Sequence, residues 1–322
     1  MFLPSRRDVI VSAGLAAALG MTQRLAIVSP ANAQTTPDPA SGFKSYKIGS
    51  VEVIALYDGI WEKPHDPAFI KNASVEEVKG AMAAAGLPAD FVSIPLTVVA
   101  LKIGDKTILC DSGSGGQWQP TAGKLTANMK AAGIDPASIS TILISHFHPD
   151  HIYGLMAKDT NAPVFPNAEI VMNAGEYKWW TETGRVEKLP EARKKLGQRV
   201  NDVFPTWKNI RQVEGDVEVA PGVRFVAAPG HTAGHVAFHL SSGDQQLMIS
   251  NDTAYVPALT AAHPGWHGAY DQDGPLAEAS RRRVLDRVIA DKMMICGAHF
   301  PFPGAASILK DGDGYAVVPM KA

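Results

Sequence analysis

Two cysteines, Cys110 and Cys296, are all that 322 residues contain, and neither stands in a CxxC pair. That excludes a zinc ribbon and a dense disulfide framework. Each closes an apolar, strand-like run, "KTILC" and "KMMIC", where a free thiol behaves as a small hydrophobe, so both are read as unpaired. An excess of charge of one sign is also missing. The 30 Lys and Arg against 32 Asp and Glu leave a net charge of −2, and a phosphate-tracking surface would need a basic excess, so no nucleic-acid partner is expected. No solenoid-period repeat and no low-complexity tract appear. No apolar run reaches the ~20 residues that span a bilayer, so no stable membrane insertion is expected. What is present, 46% apolar and 19% charged residues, suits a globular chain with one large core.

The N-terminus reads as a targeting segment. Arg6 and Arg7 in "SRRDVI", the apolar "VIVSAGLAAALG" and the small-x-small "ANA" ending at Ala33 form the pattern of a twin-arginine export signal. Residues 1–33 are therefore predicted to be removed, leaving 34–322 as a single domain, periplasmic or secreted. That route carries folded, often metal-loaded proteins.

From about Tyr46 the chain reads as two strand-rich halves with helices between strands. "VEVIALYDG" and "LTVVALKIGDKTILCDSGSG" predict antiparallel strands, and "ISTILIS" another. "SVEEVKGAMAAAG" predicts a helix, with Ser74 and Glu77 at capping-box spacing and Gly86 as its stop. "TAGKLTANMKAAGID", "GEYKWWTETG", "LPEARKKLGQRVNDV" and "LAEASRRRVLDRVIAD" predict further helices. In the second half, "AEIVMNAGE", "VRFVAAPG", "HVAFHLSSGDQQLMISND" and "DKMMICGAHF" read as strands. Two antiparallel sheets with helices laid outside predict an α/β sandwich.

The most informative stretch is "SHFHPDHIYGL", which places three of the ten histidines and an aspartate within six positions. Side chains two apart in an extended segment share a side, so His146 and His148 can meet at one point while Phe147 turns to the core. Pro149 bends the chain, and Asp150 and His151 can address a second point. More candidates follow late in the chain at the ends of apolar runs: His231 in "APGHTAGH", Asp252 in "LMISND" and His299 in "MMICGAHF". Five histidines and two aspartates at strand ends suit an ion that takes imidazole and carboxylate donors, zinc first with Mn, Co or Fe as competitors.

The order HxHxDHxxG, from His146 through Gly154, resembles the metallo-β-lactamase superfamily, and "GAHFPFPG", "HPGW" and "YDQD" resemble its methyl parathion hydrolase and lactonase group. The resemblance implies an αβ/βα four-layer sandwich. By it, His146, His148 and His231 would hold a first divalent ion, Asp150, His151 and His299 a second, and Asp252 would bridge two ions per chain. It further implies hydrolysis of a small neutral ester, a lactone or aryl ester with slower phosphotriester cleavage, by a hydroxide shared between the ions. Asp150 would be ligand and proton acceptor in one. Asp111 in "CDSG" is a candidate to fix a histidine tautomer, or else a buried turn cap. Tyr153 stands where many members have glycine.

Other readings remain on the table. Class B β-lactamases generally lack the bridging aspartate. A glyoxalase II-like thioesterase adds a helical region that the residues after His299 do not accommodate, and a tRNA-processing nuclease conflicts with export. A non-catalytic metal or redox module of flavodiiron type would replace the second histidine by an acidic residue. His235 and His239 are read as structural, Trp118 as a candidate pocket residue, and Trp179 and Trp180 as near the cleft. Self-association as a homodimer is left open.

Overall fold

Alternating apolar residues build two sheets that bury both of their faces. The structure, a computed structural model, describes residues 41–320, all within one compact unit. The expected export segment, residues 1–33, lies outside the described residues. The first sheet runs β1 (Phe43–Ile48), β2 (Val51–Pro64), β3 (Phe91–Ile103), β4 (Lys106–Cys110), β5 (Ile139–Ile144), β6 (Glu169–Asn173) and β7 (Ile210–Val213), in chain order across the sheet. The second runs β8 (Glu218–Ala220), β9 (Val223–Ala227), β10 (Val236–Ser242), β11 (Gln245–Ile249), β12 (Met294–Cys296), β13 (Ala305–Asp311) and β14 (Gly314–Pro319).

Pairing follows the connections. β1 to β4 are joined antiparallel, as the sequence suggests, but β4, β5, β6 and β7 run parallel. Parallel neighbours need a crossover, and helices supply it. After α1 (Val75–Ala84), which lies between β2 and β3, α2 (Leu125–Ala131) connects β4 to β5 and the short α3 (Pro149–Ile152) follows β5. Then α4 (Ala174–Thr181), α5 (Arg185–Lys188) and α6 (Glu191–Val203) connect β6 to β7. In the second sheet only β11 and β12 are parallel; α7 (Pro257–Thr260) and α8 (Gly274–Ala290) occupy that crossover. The expected capping box starts α1, with Ser74 and Glu77 each accepting from the other's backbone N–H.

Period-two alternation sorts the core into layers. Val99 and Leu101 of β3, Leu143 of β5, and Val236, Phe238 and Leu240 of β10 fill the space between the sheets. Their chain neighbours point the other way. Val98, Ala100, Ile142 and Ile144 meet Leu125 and Met129 of α2, Trp180 of α4 and Leu196 and Val200 of α6. Across the molecule Ala237, Met248 and Ile295 meet Val284, Leu285 and Val288 of α8. The result is the αβ/βα four-layer sandwich. Cys110 and Cys296 are buried in the inner layer and both are free thiols. No helix among the described residues is long and apolar enough to cross a membrane.

Candidate metal centre

Each residue singled out from the sequence sits just past the end of a strand, where the backbone leaves its ladder and the side chain is free to turn inward. His146 and His148 follow β5, His231 follows β9, Asp252 follows β11 and His299 follows β12. Asp150 and His151 are on α3, whose first residue is Pro149 and whose N-cap, His148, is extended. Phe147, between the two histidines, is fully buried in the outer core.

The structure brings the seven side chains into two groups, His146, His148, His231 and Asp252 in one and Asp150, His151 and His299 in the other. All are buried except the half-buried Asp150. In the first group, Nδ1 of His148 lies 3.0 Å from Nε2 of His146 and 3.0 Å from Nε2 of His231. Oδ2 of Asp252 is 3.3 Å from the His231 nitrogen and 4.0 Å from that of His146. In the second group, Oδ1 of Asp252 stands 3.2 Å from Nε2 of both His151 and His299. Oδ2 of Asp150 is 3.6 and 3.5 Å from the same two nitrogens. Oδ2 of Asp252 also lies 3.2 Å from the His299 nitrogen, so the carboxylate faces both groups, with Oδ1 turned to the second and Oδ2 reaching the first as well.

Partners on the far side of each ring fix which nitrogen has the proton. Nδ1 of His299 faces the Pro95 carbonyl at 2.8 Å, an acceptor, so this nitrogen donates. Nδ1 of His151 donates to Asp111 Oδ2 at 2.7 Å, and Nδ1 of His231 to Asp271 Oδ1 at 2.8 Å. Three imidazoles therefore aim bare Nε2 lone pairs at a carboxylate or at another ring. Lone pairs 3.0–3.3 Å apart repel unless a cation or protons lie among them. Such separations are about the edge lengths of a polyhedron with donors ~2.0–2.1 Å from a central ion. The Nε2 of His151 and Oδ1 of Asp252 are buried with no hydrogen-bond partner in the protein. The donor set fits two divalent ions.

Without cations, protons are drawn in. Burial opposes charge on His151, yet Asp252, Asp150 and Asp111 outweigh it and push its proton affinity well up. Burial likewise opposes charge on His231, but Asp252 and Asp271 raise its pKa to about 9. His146 and His148 go the other way, because burial and the surrounding histidines disfavour a proton on either ring. Burial also raises the pKa of Asp150, against the pull of His151 and His299.

Several supports had no signal in the sequence. Asp111 was the legible one, at the end of β4 with φ of 64°, accepting from Ser145 N and Ser145 Oγ as well as from His151. Asp271 was not singled out, although it orients His231. Its other oxygen accepts from Gly268 N and faces the fully buried Arg281 at 3.5 Å. That guanidinium also donates to the carbonyls of Thr253 and Pro264, so α8 grips the turn beside Asp252. Glu176 of α4, fully buried, accepts from Phe147 N, Gly234 N and Trp180 Nε1. The final glycine of the motif is required by contact, since a Cβ on Gly154 would lie 1.8 Å from the Ser112 carbonyl.

One expectation changes, that for Trp179 and Trp180, and others gain detail. His235 is structural but not remote: its Nε2 accepts from Asp252 N at 3.3 Å and its ring lies 5.0 Å from that of His146. Trp180 is core, and Trp179 packs on the same core beneath Arg185 at 4.4 Å, because the inner face of α4 turns to the first sheet rather than to the metal centre. Tyr153 packs on that core too, under Arg199 at 4.9 Å. An aromatic cluster lies elsewhere, with Trp118 against Trp61 at 4.9 Å and Trp61 and Phe69 against Tyr270 at 6.0 and 6.1 Å.

Several known proteins are similar to this chain. An N-acyl homoserine lactonase of Bacillus cereus is 27% identical over 177 residues, 55% of this chain and 62% of the relative. Another from a Bacillus species is 26% identical over 172 residues, 53% and 60% of the two chains. The chain thus spans about three-fifths of the length of these relatives. Among solved structures, AidC, a dizinc quorum-quenching lactonase in complex with the product N-hexanoyl-L-homoserine, superposes with a TM-score of 0.82 at 26% identity, covering 87% of this chain and 98% of AidC. The hydrolase AbOPH of the β-lactamase superfamily shares the fold, with a TM-score of 0.80 at 23% identity over 88% of this chain and 99% of AbOPH. Residues 93–299, more than half of the chain and ending on the last histidine of the cluster, match the metallo-beta-lactamase superfamily, and the chain belongs to it.

Proposed function

We propose that this protein is a hydrolase with two divalent ions per chain, acting on a small neutral ester, with a lactone as its main substrate. The observation that carries this reading is the Asp252 carboxylate, which faces both groups, Oδ2 toward His231 of the first and both oxygens toward the second. His146, His148 and His231 are assigned to the first ion, Asp150, His151 and His299 to the second, and Asp252 to both. Zinc is the proposed ion, since imidazole and carboxylate suit it, although manganese, cobalt and iron accept the same donors. Bound there, such ions make water a nucleophile at neutral pH and polarise an ester carbonyl.

The chain's own residues supply the rest. Asp150 is the proton acceptor of the reading: it is half-buried, beside His151 and His299, and burial raises its affinity for a proton. Asp111, Asp271 and the Pro95 carbonyl lock His151, His231 and His299 in the tautomer that faces inward. Trp61, Trp118 and Tyr270 form an apolar wall reaching the centre through Asp271, the residue after Tyr270, and an acyl chain or aromatic ring would pack on it. The lactonase names of the relatives and of AidC support the lactone. Aryl esters and phosphotriesters are proposed as secondary substrates. Export by the twin-arginine route, with 34–322 as the mature domain, belongs to the same reading.

A panel of purified-protein assays tests it. Lactones are expected to give the highest kcat/KM, ahead of aryl esters, with phosphotriesters slower still. A β-lactam, a glutathione thioester or a charged phosphodiester outrunning every lactone and aryl ester would overturn the substrate while leaving the metal assignment standing.

A further inference from the structure

One cation near the centre has no task in anything described so far. Arg193 stands in the first turn of α6, where its half-buried guanidinium donates to the Tyr270 carbonyl at 3.2 Å. No carboxylate pairs with it among the described residues. A guanidinium has five N–H donors, and one of Arg193's is accounted for. Its neighbours place it at the cleft. Tyr270 packs on Trp61 and Phe69, and the next residue, Asp271, orients His231. The Tyr270 phenol, pushed up to about 12 by burial, lies in the fields of both Arg193 and Asp150.

The acidic groups in reach of Arg193 are already engaged. Glu176 and Asp271 favour its charge, but Glu176 is taken up by Phe147 N, Gly234 N and Trp180 Nε1, and Asp271 by His231, Gly268 N and Arg281. A partly desolvated guanidinium with free donors is held at a cost unless an oxygen acceptor meets it. Its planar fork fits a carboxylate or an amide carbonyl. The aromatic cluster beside it is apolar, so in the free protein only water can meet those donors, and a substrate acceptor would take its place.

We propose that Arg193 anchors the substrate, binding an oxygen acceptor, an amide carbonyl or a carboxylate, that lies a few bonds from the ester to be cleaved. This deepens the lactonase reading and rests on it for the identity of the ester. The protein then selects acylamino or carboxylated esters over plain alkyl ones, and the wall takes the apolar remainder of the same molecule.

The test compares wild type with Arg193→Met and Arg193→Lys on an α-acylamino-γ-lactone and an α-alkyl-γ-lactone of equal length, with a carboxylated aryl ester and its neutral counterpart as a second pair. The pairs separate the amide from the carboxylate as the acceptor. Wild type is expected to prefer the acceptor-bearing member of at least one pair by about tenfold or more in kcat/KM. Arg193→Met is expected to bring that ratio near unity, through KM rather than kcat, and Arg193→Lys to recover part of it. In parallel, the ring-opened acylamino and alkyl hydroxy acids are titrated calorimetrically into the metal-loaded proteins, which reads the anchor even if no lactone is turned over. No turnover of any lactone would overturn the lactonase reading, while a tenfold binding preference lost in Arg193→Met would still uphold the anchor. Equal affinity of wild type for both acids together with no preference for the carboxylated aryl ester, or a preference unchanged in Arg193→Met with metal content and thermal unfolding intact, would overturn it.

Discussion

Replacing Asp252 by alanine is expected to lower kcat/KM by at least ~10³-fold and to reduce the metal content of the purified protein. Each group loses a donor at once, because Oδ1 faces His151 and His299 at 3.2 Å while Oδ2 faces His231 at 3.3 Å. A negative charge that would offset the two cations disappears as well. The second group keeps two imidazoles and the half-buried Asp150, the first keeps three imidazoles, so the second site is expected to empty first. Elemental analysis beside steady-state kinetics reads both effects. Near-normal turnover with unchanged metal would show that Asp252 does not join the two groups. His235 is no control for this experiment, since its ring accepts the Asp252 backbone N–H.

The second large effect is expected at Glu176, which touches no candidate ligand side chain. Its carboxylate accepts from the backbone between His146 and His148 and from Gly234, in the turn that follows His231. It therefore ties together the loops presenting the three histidines of the first group, and Trp180 completes its shell. Glu176→Ala strands three buried donors, each costing roughly 1–3 kcal/mol, and a total loss of about 3–5 kcal/mol is expected after partial relaxation. Metal affinity at the first site should fall about 10- to 100-fold, as for other groups that orient ligands. Glu176→Gln should recover only part of this, because its amide nitrogen would face the Gly234 N–H or the pair of donors on the other oxygen. Denaturant unfolding of the metal-free protein and competition with a chelator separate the two losses. A variant that unfolds like wild type and holds metal as tightly would remove Glu176 from the account.

The contrast between these two residues shows what a single sequence can reveal. Asp252 was legible because it ends an apolar strand run, and a carboxylate there has few ordinary tasks. His146, His148, Asp150 and His151 were legible because two alternating histidines before a proline-started turn have a geometric reading. Glu176, Asp271, Arg193 and Arg281 were not, since an acidic or basic residue in a helix or turn normally faces solvent, and only tertiary packing shows these four drawn inward. The paired Trp179 and Trp180 misled for a related reason: a short helix does not announce which face meets the sheet. The aromatic cluster of Trp61, Trp118 and Tyr270 is built instead from residues far apart in the chain. The parallel order of β4 to β7 was hidden because strand residues read alike in either direction, and only the intervening helices force the crossover. The hairpin of β13 and β14 follows the last histidine and turns at "DGDG", a signal present but unused.

Two ions per active chain are what the paired donor groups of this protein require. Purified protein at maximal specific activity, freed of loose metal and measured by elemental analysis, is predicted to hold two divalent ions per chain, with activity lost on chelation and restored as both return. Full activity with one ion or none would contradict it.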